Sequence, residues 1–341
     1  MSRLLGVIDA ATSVKGLQDL SLNRSVASIP FAGRYRFIDF ILSNMVNSGV
    51  ESVAIFPRHQ YRSLMDHIGS GKNWDLDRKR DGLFFFPPYF EPNENSNVGS
   101  FDRLEQHLDF FERSHQDYIL IANSYTIASI DLNEALAEHL IQDNDITEIT
   151  TSSRSLEMYI LKKSLLIELI QNRKNSQFIS ISDVATQPLH HYKIGGYEHH
   201  GYAAVMDSID AYFKHSMDLL DHSIWSQLFS TDRPVFTKVK DEPPTRYSAE
   251  SVVTNSMVAN GGIIHGRVDS SIVSRAVKIG NHSVVKNCIV MQKSQIGENC
   301  HLEYVILDKD VRIQDGVTLK GTSDKPLVLR KGAVREMAVS K

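Results

Sequence analysis

The sequence has little cysteine and no long hydrophobic segment. Its 341 residues include two cysteines, Cys288 and Cys300, which is typical of proteins from a reducing compartment, although a disulfide between them is compatible with the sequence. No apolar run approaches the ~20 residues that a membrane span requires. The first residues, MSRLLGVIDA, also lack the layout of a secretory signal. We therefore expect a cytoplasmic protein without a membrane-bound part.

The chain also lacks an excess of positive charge. Its net charge is −4, which argues against a general nucleic-acid-binding or membrane-surface function. The hydrophobic content of 42% and the charged content of 23% are ordinary for a globular protein. A chain of this length is large enough to form two domains, each with a hydrophobic core.

Glycine is scarce in the loop that follows the first predicted strand. The apolar run LLGVI (4–8), which predicts a first β-strand, is followed by DAATSVKGL. In nucleotide-binding α/β proteins this loop is usually rich in glycine, because bare backbone must approach phosphate closely. Here the first glycine after the strand is Gly16. The sequence is thus either a different kind of protein or a nucleotide-binding fold without its phosphate loop.

The first part of the chain alternates strand-like and helix-like segments. Apolar runs predict strands over 4–8, 52–56, 118–122, 145–150 and 156–161. Helical periodicity predicts amphipathic helices over 100–115, 132–143 and 207–220, the last capped by Asp207. Prolines predict an irregular loop over 84–100. This pattern indicates an α/β domain with a mostly parallel sheet over residues 1–221, followed by a linker over 222–249.

The remaining part, residues 250–341, repeats itself every 17 residues. Each unit is built of hexapeptides in which an aliphatic residue is followed by a small polar one, and three aliphatic ladders share the interval. These ladders are Ile279, Ile296 and Ile313; Val268, Val285, Leu302 and Leu319; and Val273, Val290 and Leu307. A three-sided coil of short parallel strands stacks such residues into columns. We therefore expect a left-handed parallel β-helix.

Two groups of cationic residues are candidates for anion binding. Arg24, Arg34 and Arg36 lie on either side of a turn before a predicted helix, and Arg58 and Arg62 lie close to His59. Clustered arginines and helix N-termini both favour anions. On local chemistry alone, surface pairing with acids such as Asp39 explains the first group as well as anion binding does. A solvated surface likewise explains the second group.

The stretch NRSVASIPFAGRYRFIDFILSNMVNSGV (23–50) resembles the signature of bacterial and plant glucose-1-phosphate adenylyltransferases, F-G-G-[KR]-[FY]-R-[IL]-I-D-F-x-L-S-N-x-x-N-S-G-[IV]. The likeness continues through HQYRSLMDHIGSGKNWDLDRKR (59–80), SLEMYIL (155–161), DAYFKHSMDLL (210–220) and the repeats. It is closest to a non-catalytic subunit type of Gram-positive bacteria. The resemblance implies a Rossmann-like nucleotidyltransferase domain joined to the β-helix.

Active members of that family transfer the adenylyl group of ATP to glucose 1-phosphate, with Mg²⁺ bound by carboxylates. At the matching positions, this sequence lacks the residues that handle the triphosphate and the metal. The glycines of A-G-G-x-G-T-R-L fall on Ala11, Thr12 and Val14, and its arginine falls on Gly16. The lysine of R-A-K-P-A falls on Val26, and the two metal-binding aspartates fall on Ser124 and Val205. Each missing donor typically costs ~10²–10³ in rate.

The resemblance therefore implies a catalytically silent regulatory subunit. It implies a homologous catalytic partner in a hetero-oligomer (a homo-oligomer in its absence), with sugar-phosphate or phosphate effectors bound near Arg34. We expect no cofactor or metal in this chain, since Mg²⁺ would belong to the partner. Two alternatives stay open, namely an active nucleotidyltransferase with a rearranged metal site at Asp9 and Asp207, and a sugar-phosphate sensor without a partner. The sugar-binding segment of active members is reduced to TSSRS (151–155), so binding of glucose 1-phosphate also stays open.

Overall fold

A central β-sheet organises the first two thirds of the chain. The computed structural model describes residues 4–88, 97–187 and 191–337. The strands that precede the repeats span Leu4–Ala10 (β1), Pro30–Phe31 (β2), Tyr35–Arg36 (β3), Ser52–Pro57 (β4), Gly82–Phe85 (β5), Tyr118–Asn123 (β6), Thr126–Ala128 (β7), Ile146–Thr151 (β8), Arg154–Lys162 (β9), Ile194–Glu198 (β10) and Ala203–Val205 (β11). The described residues form a seven-stranded sheet in the order β10-β8-β9-β6-β1-β4-β5. It is parallel except for β9, which runs antiparallel to β6 and β8.

Helices cover both faces of this sheet. They span Gln18–Ser21 (α1), Phe37–Asn47 (α2), Arg62–Ile68 (α3), Phe101–Glu105 (α4), Leu108–Arg113 (α5), Leu132–Gln142 (α6), Lys163–Asn172 (α7), Ile181–Thr186 (α8), Ile209–Asp218 (α9) and His222–Leu228 (α10). One hydrophobic core lies between the sheet and α4, α5, α7 and α8, and a larger one contains α2, α6 and α9. Because both faces of β1 and β6 are buried, these strands read as continuous apolar runs rather than alternating ones.

The repeats form the predicted left-handed β-helix. Its strands span Arg246–Tyr247 (β12), Val252–Thr254 (β13), Met257–Val258 (β14), Ile263–Ile264 (β15), Arg267–Asp269 (β16), Ile272–Val273 (β17), Lys278–Ile279 (β18), Val284–Lys286 (β19), Ile289–Val290 (β20), Gln295–Ile296 (β21), His301–Glu303 (β22), Val305–Leu307 (β23), Arg312–Ile313 (β24), Thr318–Lys320 (β25), Leu327–Leu329 (β26) and Val334–Arg335 (β27). They build three parallel sheets, one per side. The three predicted ladders are direct strand partners, as in Ile279–Ile296–Ile313.

The two parts of the chain share a core. Ile289, Met291 and Ile306 of the β-helix belong to the same buried cluster as α2 and α9 of the α/β part. A buried ion pair also joins the parts, since Arg24 Nη2 donates to Asp308 Oδ2 and the two side chains are 4% and 2% exposed. Residues that lie more than 280 positions apart in sequence therefore fix the β-helix against the sheet.

Several local predictions need correction. The helix predicted over 100–115 is two helices, α4 and α5, because the backbone breaks at Gln106 and His107. The strand β5 extends to Phe85, inside the predicted loop 84–100, of which residues 89–96 lie outside the described residues. Among helices formed by the described residues, none has the length and apolar character needed to cross a membrane. Both cysteines are free and buried in the β-helix.

Candidate functional site

The loop that follows β1 lies at the carboxyl edge of the sheet, where nucleotides bind in folds of this type. Instead of leaving space there, the loop packs inward. Ala11 is buried, and Val14 is half-buried against the larger core. The Leu17 amide donates to the Val14 carbonyl at 3.0 Å, which closes the loop into a turn. A β-branched side chain thus occupies a position where a phosphate loop would expose bare backbone.

Gly16 closes the same loop against the segment that precedes α9. The Ile209 amide donates to the Gly16 carbonyl at 2.9 Å, and Gly16 pairs with Ser208 as an isolated bridge. A Cβ atom on Gly16 would lie 2.1 Å from the Asp207 carbonyl oxygen and 2.8 Å from Ser208 Cα. Such distances are far below van der Waals contact, so no side chain fits. Active family members have an arginine at this position. Here, backbone atoms of Asp207 and Ser208 occupy the space that such a side chain would need.

Asp9 and Arg103 form a buried ion pair beside the loop. Arg103 Nη1 donates to both Asp9 carboxylate oxygens at 2.8 Å, and the two side chains are 7% and 3% exposed. Asp9 also accepts from the backbone amides of Ala11 at 3.0 Å and Gly99 at 2.8 Å. The carboxylate thus connects the first loop to the backbone just before α4. Its negative charge is already balanced by Arg103.

The two aspartate positions of active members carry groups that do not bind cations in this way. Ser124 is buried in the turn between β6 and β7, where Asn123 Oδ1 accepts from the amides of Tyr125 and Thr126 at 2.8 Å. Val205 is buried in β11 and pairs with Thr126 of β7. Antiparallel pairing of β7 and β11 places Val205 opposite Thr126, two residues from Ser124, so a hydroxyl and an isopropyl group occupy the two positions.

Asp207 does not cap α9, contrary to the prediction. Ser208 is the N-cap, since its hydroxyl accepts from the Ala211 amide at 3.1 Å. Asp207 is about half exposed and accepts from Arg154 Nη2 at 2.7 Å. The rearranged metal site proposed from Asp9 and Asp207 thus consists of two carboxylates that each bind an arginine.

These residues do not fit Mg²⁺. That ion requires oxygen ligands, in practice one or two carboxylates together with phosphates. The carboxylates of Asp9 and Asp207 are paired with guanidinium groups, and Ser124 and Val205 supply none. Across residues 4–88, 97–187 and 191–337, no group of three or more His, Cys, Asp or Glu side chains is arranged to hold a metal ion.

A two-residue turn replaces the sugar-binding excursion of active members. Thr151 of β8 pairs directly with Arg154 of β9, and Ser152 and Ser153 between them have φ values of +45° and +62°. Two successive positive φ angles are the signature of a type I′ hairpin turn. The chain between these strands is therefore continuous and tight. Near the turn, the Tyr125 hydroxyl donates to the Glu157 carboxylate.

A cluster of cations lies between the α/β part and the β-helix, and we call it the interdomain cationic cluster. Its members come from four separate stretches of the chain and are Arg24, Arg36, Lys240, Arg275 and Lys309. Burial lowers the pKa of Arg36 to about 10, with further lowering by Arg24 and Arg275 against the pull of Asp39. Burial, Arg36 and Arg24 lower the pKa of Lys309 to about 6. The side chains therefore repel one another in a partly dehydrated space.

The cluster contains an unused hydrogen-bond donor. Arg24 Nη1 is buried and has no hydrogen-bond partner among the described residues. Arg36 Nη1 donates to Ser63 O at 2.6 Å and to Ser63 Oγ at 3.1 Å, which fixes the guanidinium against α3. Acids also lie around the cluster: Asp308 binds Arg24, Asp39 accepts from the Arg36 amide at 2.9 Å, and Glu242 acts on Lys240 and Arg275. An anion would supply the missing acceptor for Arg24 Nη1 and add negative charge among the five cationic side chains.

The structure separates the other predicted cationic residues. Arg34 is exposed, with its guanidinium 5.3 Å from the centre of the Tyr35 ring, and it lies at the edge of a 470 Å³ cavity. Burial and the nearby Arg34 lower the pKa of Arg275, so Arg34 lies within electrostatic range of the cluster. Arg58 Nη1 reaches Ser13 Oγ at 3.4 Å in the first loop. Arg62 is exposed at the first turn of α3.

The sequence analysis missed three of the five members of the interdomain cationic cluster. Lys240, Arg275 and Lys309 join the cluster only through packing of the β-helix on the sheet, and nothing in their local sequence distinguishes them from solvated lysines and arginines. Arg103 lies 94 residues from Asp9, so their pairing was equally hidden. Val26, which stands at the position of the family lysine, is a buried core residue in a short 3-10 turn.

Both parts of the chain match known protein families. Residues 6–159 match the nucleotidyl transferase family, and residues 243–325 match the GlmU-like C-terminal hexapeptide family. The chain is 54% identical over 341 residues to the glycogen biosynthesis protein GlgD of Geobacillus stearothermophilus, covering 100% of this chain and 99% of that protein. It is 49% identical over 334 residues to GlgD of Bacillus subtilis (strain 168), covering 98% and 97%.

The chain is also similar, at lower identity, to glucose-1-phosphate adenylyltransferases. The chain is 26% identical over 342 residues to the glucose-1-phosphate adenylyltransferase of Bacillus thuringiensis (strain Al Hakam), covering 89% of this chain and 91% of that protein. The expected resemblance is thus confirmed over nearly the whole length. The chain belongs to the GlgD family of glycogen biosynthesis proteins, which is related to glucose-1-phosphate adenylyltransferase.

Proposed function

We propose that this chain is a regulatory, catalytically silent subunit of a glucose-1-phosphate adenylyltransferase in glycogen biosynthesis. The observation that carries the proposal is the closure of the triphosphate position by the chain's own groups. Gly16 lies against the backbone of Asp207 and Ser208, and the Asp9–Arg103 ion pair lies beside the loop. The proposal places the chain in the cytoplasm, where the substrates of the catalytic subunit would be.

The chemistry of adenylyl transfer explains why closure of the triphosphate position would prevent catalysis. Attack of a sugar phosphate oxygen on the α-phosphate of ATP needs a divalent cation and preorganised donors for the developing charge. Ser124 and Val205 offer no carboxylate, and the β-branched Val14 side chain obstructs the close approach of a triphosphate to the backbone that a glycine would allow. Because each lost contribution typically costs ~10²–10³ in rate, their combined loss leaves no useful turnover.

A silent subunit acts through a partner. We propose that the partner is a homologous catalytic subunit, that the two form a heterotetramer, and that Mg²⁺ is bound by the catalytic subunit alone. Contacts with this chain would favour the active conformation of the partner, which is a population shift driven by differential binding. The scaffold that makes such contacts is intact here, since the sheet, its helices and the β-helix are all present.

We further propose that sugar-phosphate or phosphate effectors bind the interdomain cationic cluster. The support is the unpaired Arg24 Nη1 and the mutual repulsion that lowers the pKa values of Arg36 and Lys309. A bound phosphate would offset that repulsion and strengthen the contact between the sheet and the β-helix. The alternative of a sensor without any partner uses the same site, so only the assembly experiment separates the two.

The test is co-expression with a homologue that retains the glycines and both aspartates, followed by co-purification and assay of ADP-glucose formation. We expect the isolated chain to form no ADP-glucose and the complex to exceed the partner alone in turnover, substrate affinity or effector response. Turnover by the isolated chain that is lost in Asp207→Asn would support the active-enzyme alternative. Failure to co-purify, combined with binding of fructose bisphosphate, would support the sensor.

A further inference from the structure

A small cavity lies at the opposite edge of the sheet from the first loop. It has a volume of about 310 Å³, at the lower end of the ~300–1,000 Å³ that small-molecule sites usually have. It lies between the C-terminal end of α2, the start of β4 and the segment 72–78. Glu51 lines it and immediately precedes β4, so the cavity lies where the parallel strands begin and not where nucleotides bind in this fold. Its apolar wall is formed by Val46, Val50 and Phe236.

Trp74 contributes a buried donor that the protein does not use. Its side chain lines the cavity and is 1% exposed, and its Nε1 atom has no hydrogen-bond partner among the described residues. The indole packs edge-on against the ring of His67, with the ring centres 5.9 Å apart, which holds it in place. Because buried donors in proteins are almost always paired, the indole N–H indicates an acceptor that the chain itself does not supply.

The charged groups around the cavity balance one another, but part of their hydrogen-bonding capacity is unused. Arg78 donates from Nη1 to Glu51 Oε1 and from Nη2 to Asp75 Oδ2, both at 2.7 Å. The other carboxylate oxygen of each acid has no partner among the described residues, and neither has the Lys72 ammonium group. Two cations and two acids carry no net charge together. The cavity therefore favours neither a simple anion nor a simple cation.

We propose that this cavity binds the zwitterion of a free α-amino acid with an aliphatic side chain. The ligand carboxylate would accept from the Lys72 ammonium group and from the Trp74 indole. The ligand ammonium group would donate to the unused oxygens of Glu51 and Asp75. The apolar wall suits the aliphatic side chain. This inference goes beyond the proposed regulatory function, since neither a nucleotide nor a partner subunit takes part in the binding.

The test is titration of the full chain with L-leucine, measured by calorimetry and by tryptophan fluorescence. The chain has two tryptophans, so Trp225→Phe leaves Trp74 as the only tryptophan reporter. We expect saturable binding of leucine with a change in Trp74 emission. The matched ligands are isocaproate, which lacks the ammonium group, and isoamylamine, which lacks the carboxylate. Each should bind at least roughly tenfold more weakly than leucine, because each leaves one set of charged groups unpaired.

Two variants test the proposed contacts. Lys72→Met removes an exposed ammonium group and should weaken leucine binding roughly ten- to a hundredfold, the effect of losing hydrogen bonds to a charged group. Trp74→Phe keeps an aromatic ring and removes the indole N–H, so it should weaken binding roughly three- to tenfold. The matched control is Lys79→Met, which changes a nearby exposed lysine that does not line the cavity. It should bind leucine like the unchanged chain.

Thermal melting should show that these variants fold, and Lys72→Met decides the matter if Trp74→Phe does not. Absence of leucine binding, equally tight binding of isocaproate or isoamylamine, or unchanged leucine binding by Lys72→Met would each overturn the proposal. None of these readouts involves nucleotide chemistry or a catalytic partner, so their failure is distinguishable from failure of the proposed regulatory function.

Discussion

Arg103 donates from Nη1 to both carboxylate oxygens of Asp9 at 2.8 Å, inside the protein and directly beside the loop that would hold a triphosphate. In a buried pair of this kind each charge depends on the other, because neither is solvated by water. The pair therefore stabilises the closed form of the loop, and its removal should be costly.

We expect Arg103→Met to lower the free energy of unfolding by about 3–5 kcal/mol, because it leaves the Asp9 carboxylate buried without its partner. Adding Asp9→Asn should recover a substantial part of that loss, since a neutral amide oxygen still accepts from the amides of Ala11 and Gly99. Urea denaturation of the single and double variants measures both effects. Additive losses would contradict the ion-pair interpretation. Arg78→Met, which breaks two surface pairs with Glu51 and Asp75, should change stability by no more than about 1 kcal/mol.

Restoring the glycines alone should not restore activity. The triple variant Ala11→Gly, Thr12→Gly and Val14→Gly removes three side chains, but Gly16 still packs on Asp207 and Asp9 is still bound to Arg103. We expect no ADP-glucose formation and no measurable ATP binding by calorimetry. Turnover in this variant, without any change at Ser124 or Val205, would show that the loop residues alone silence the chain.

The depressed pKa of Lys309 should make phosphate binding pH-dependent. Phosphate favours the protonated amine, so affinity should rise as the pH falls towards about 6, and binding should take up a proton near neutral pH. Calorimetry in buffers of different ionisation enthalpy measures that uptake. The groups that face Lys309 are Arg36, Arg24, Lys331 and Asp308. Lys309→Met should abolish the uptake, and an unchanged uptake would assign it to another group.

The same lysine should affect stability in a defined direction. Its pKa in the folded protein is about 6, below the ordinary value of 10.5, so the unfolded chain binds more protons between these values. Its contribution to the free energy of unfolding therefore increases with pH across this window. Lys309→Met should be more stable than the unchanged chain at pH 7, and its stability should vary less with pH. Denaturation at several pH values decides this.

Ser208 and Asp207 should differ in their importance for α9. Ser208→Ala removes the N-cap acceptor and should cost about 1 kcal/mol. Asp207→Asn affects only an exposed pair with Arg154, so its cost should stay below about 1 kcal/mol. Chemical denaturation of the two variants provides the comparison, with thermal melting as a second measurement. A larger loss for Asp207→Asn would mean that Asp207 has a role that its exposed position does not suggest.

The β-helix was predictable because its signal is local and periodic. One 17-residue interval places Ile279, Ile296 and Ile313 in register, and the structure pairs them directly. The strands β1 and β6 were predictable for a similar reason, since burial on both faces requires continuous apolar residues.

Long-range relationships were not predictable. The pairing of Asp9 with Arg103 and the approach of Lys309 to Arg36 depend on how distant elements pack. Asp207 and Ser208 are both good N-caps at adjacent positions, so local sequence could not decide between them. The break between α4 and α5 likewise has no glycine or proline to announce it.

The turn at Ser152 and Ser153 shows how a protein of this fold can lack a substrate-contacting segment without losing a strand. The register of β8 and β9 is fixed by their own pairing and by β6 and β10 on either side. The stability of the sheet therefore depends only weakly on the length of chain that joins β8 to β9, because the free-energy cost of closing a loop grows slowly with its length. A substrate-contacting segment can be present or absent at this point while every strand keeps its neighbours.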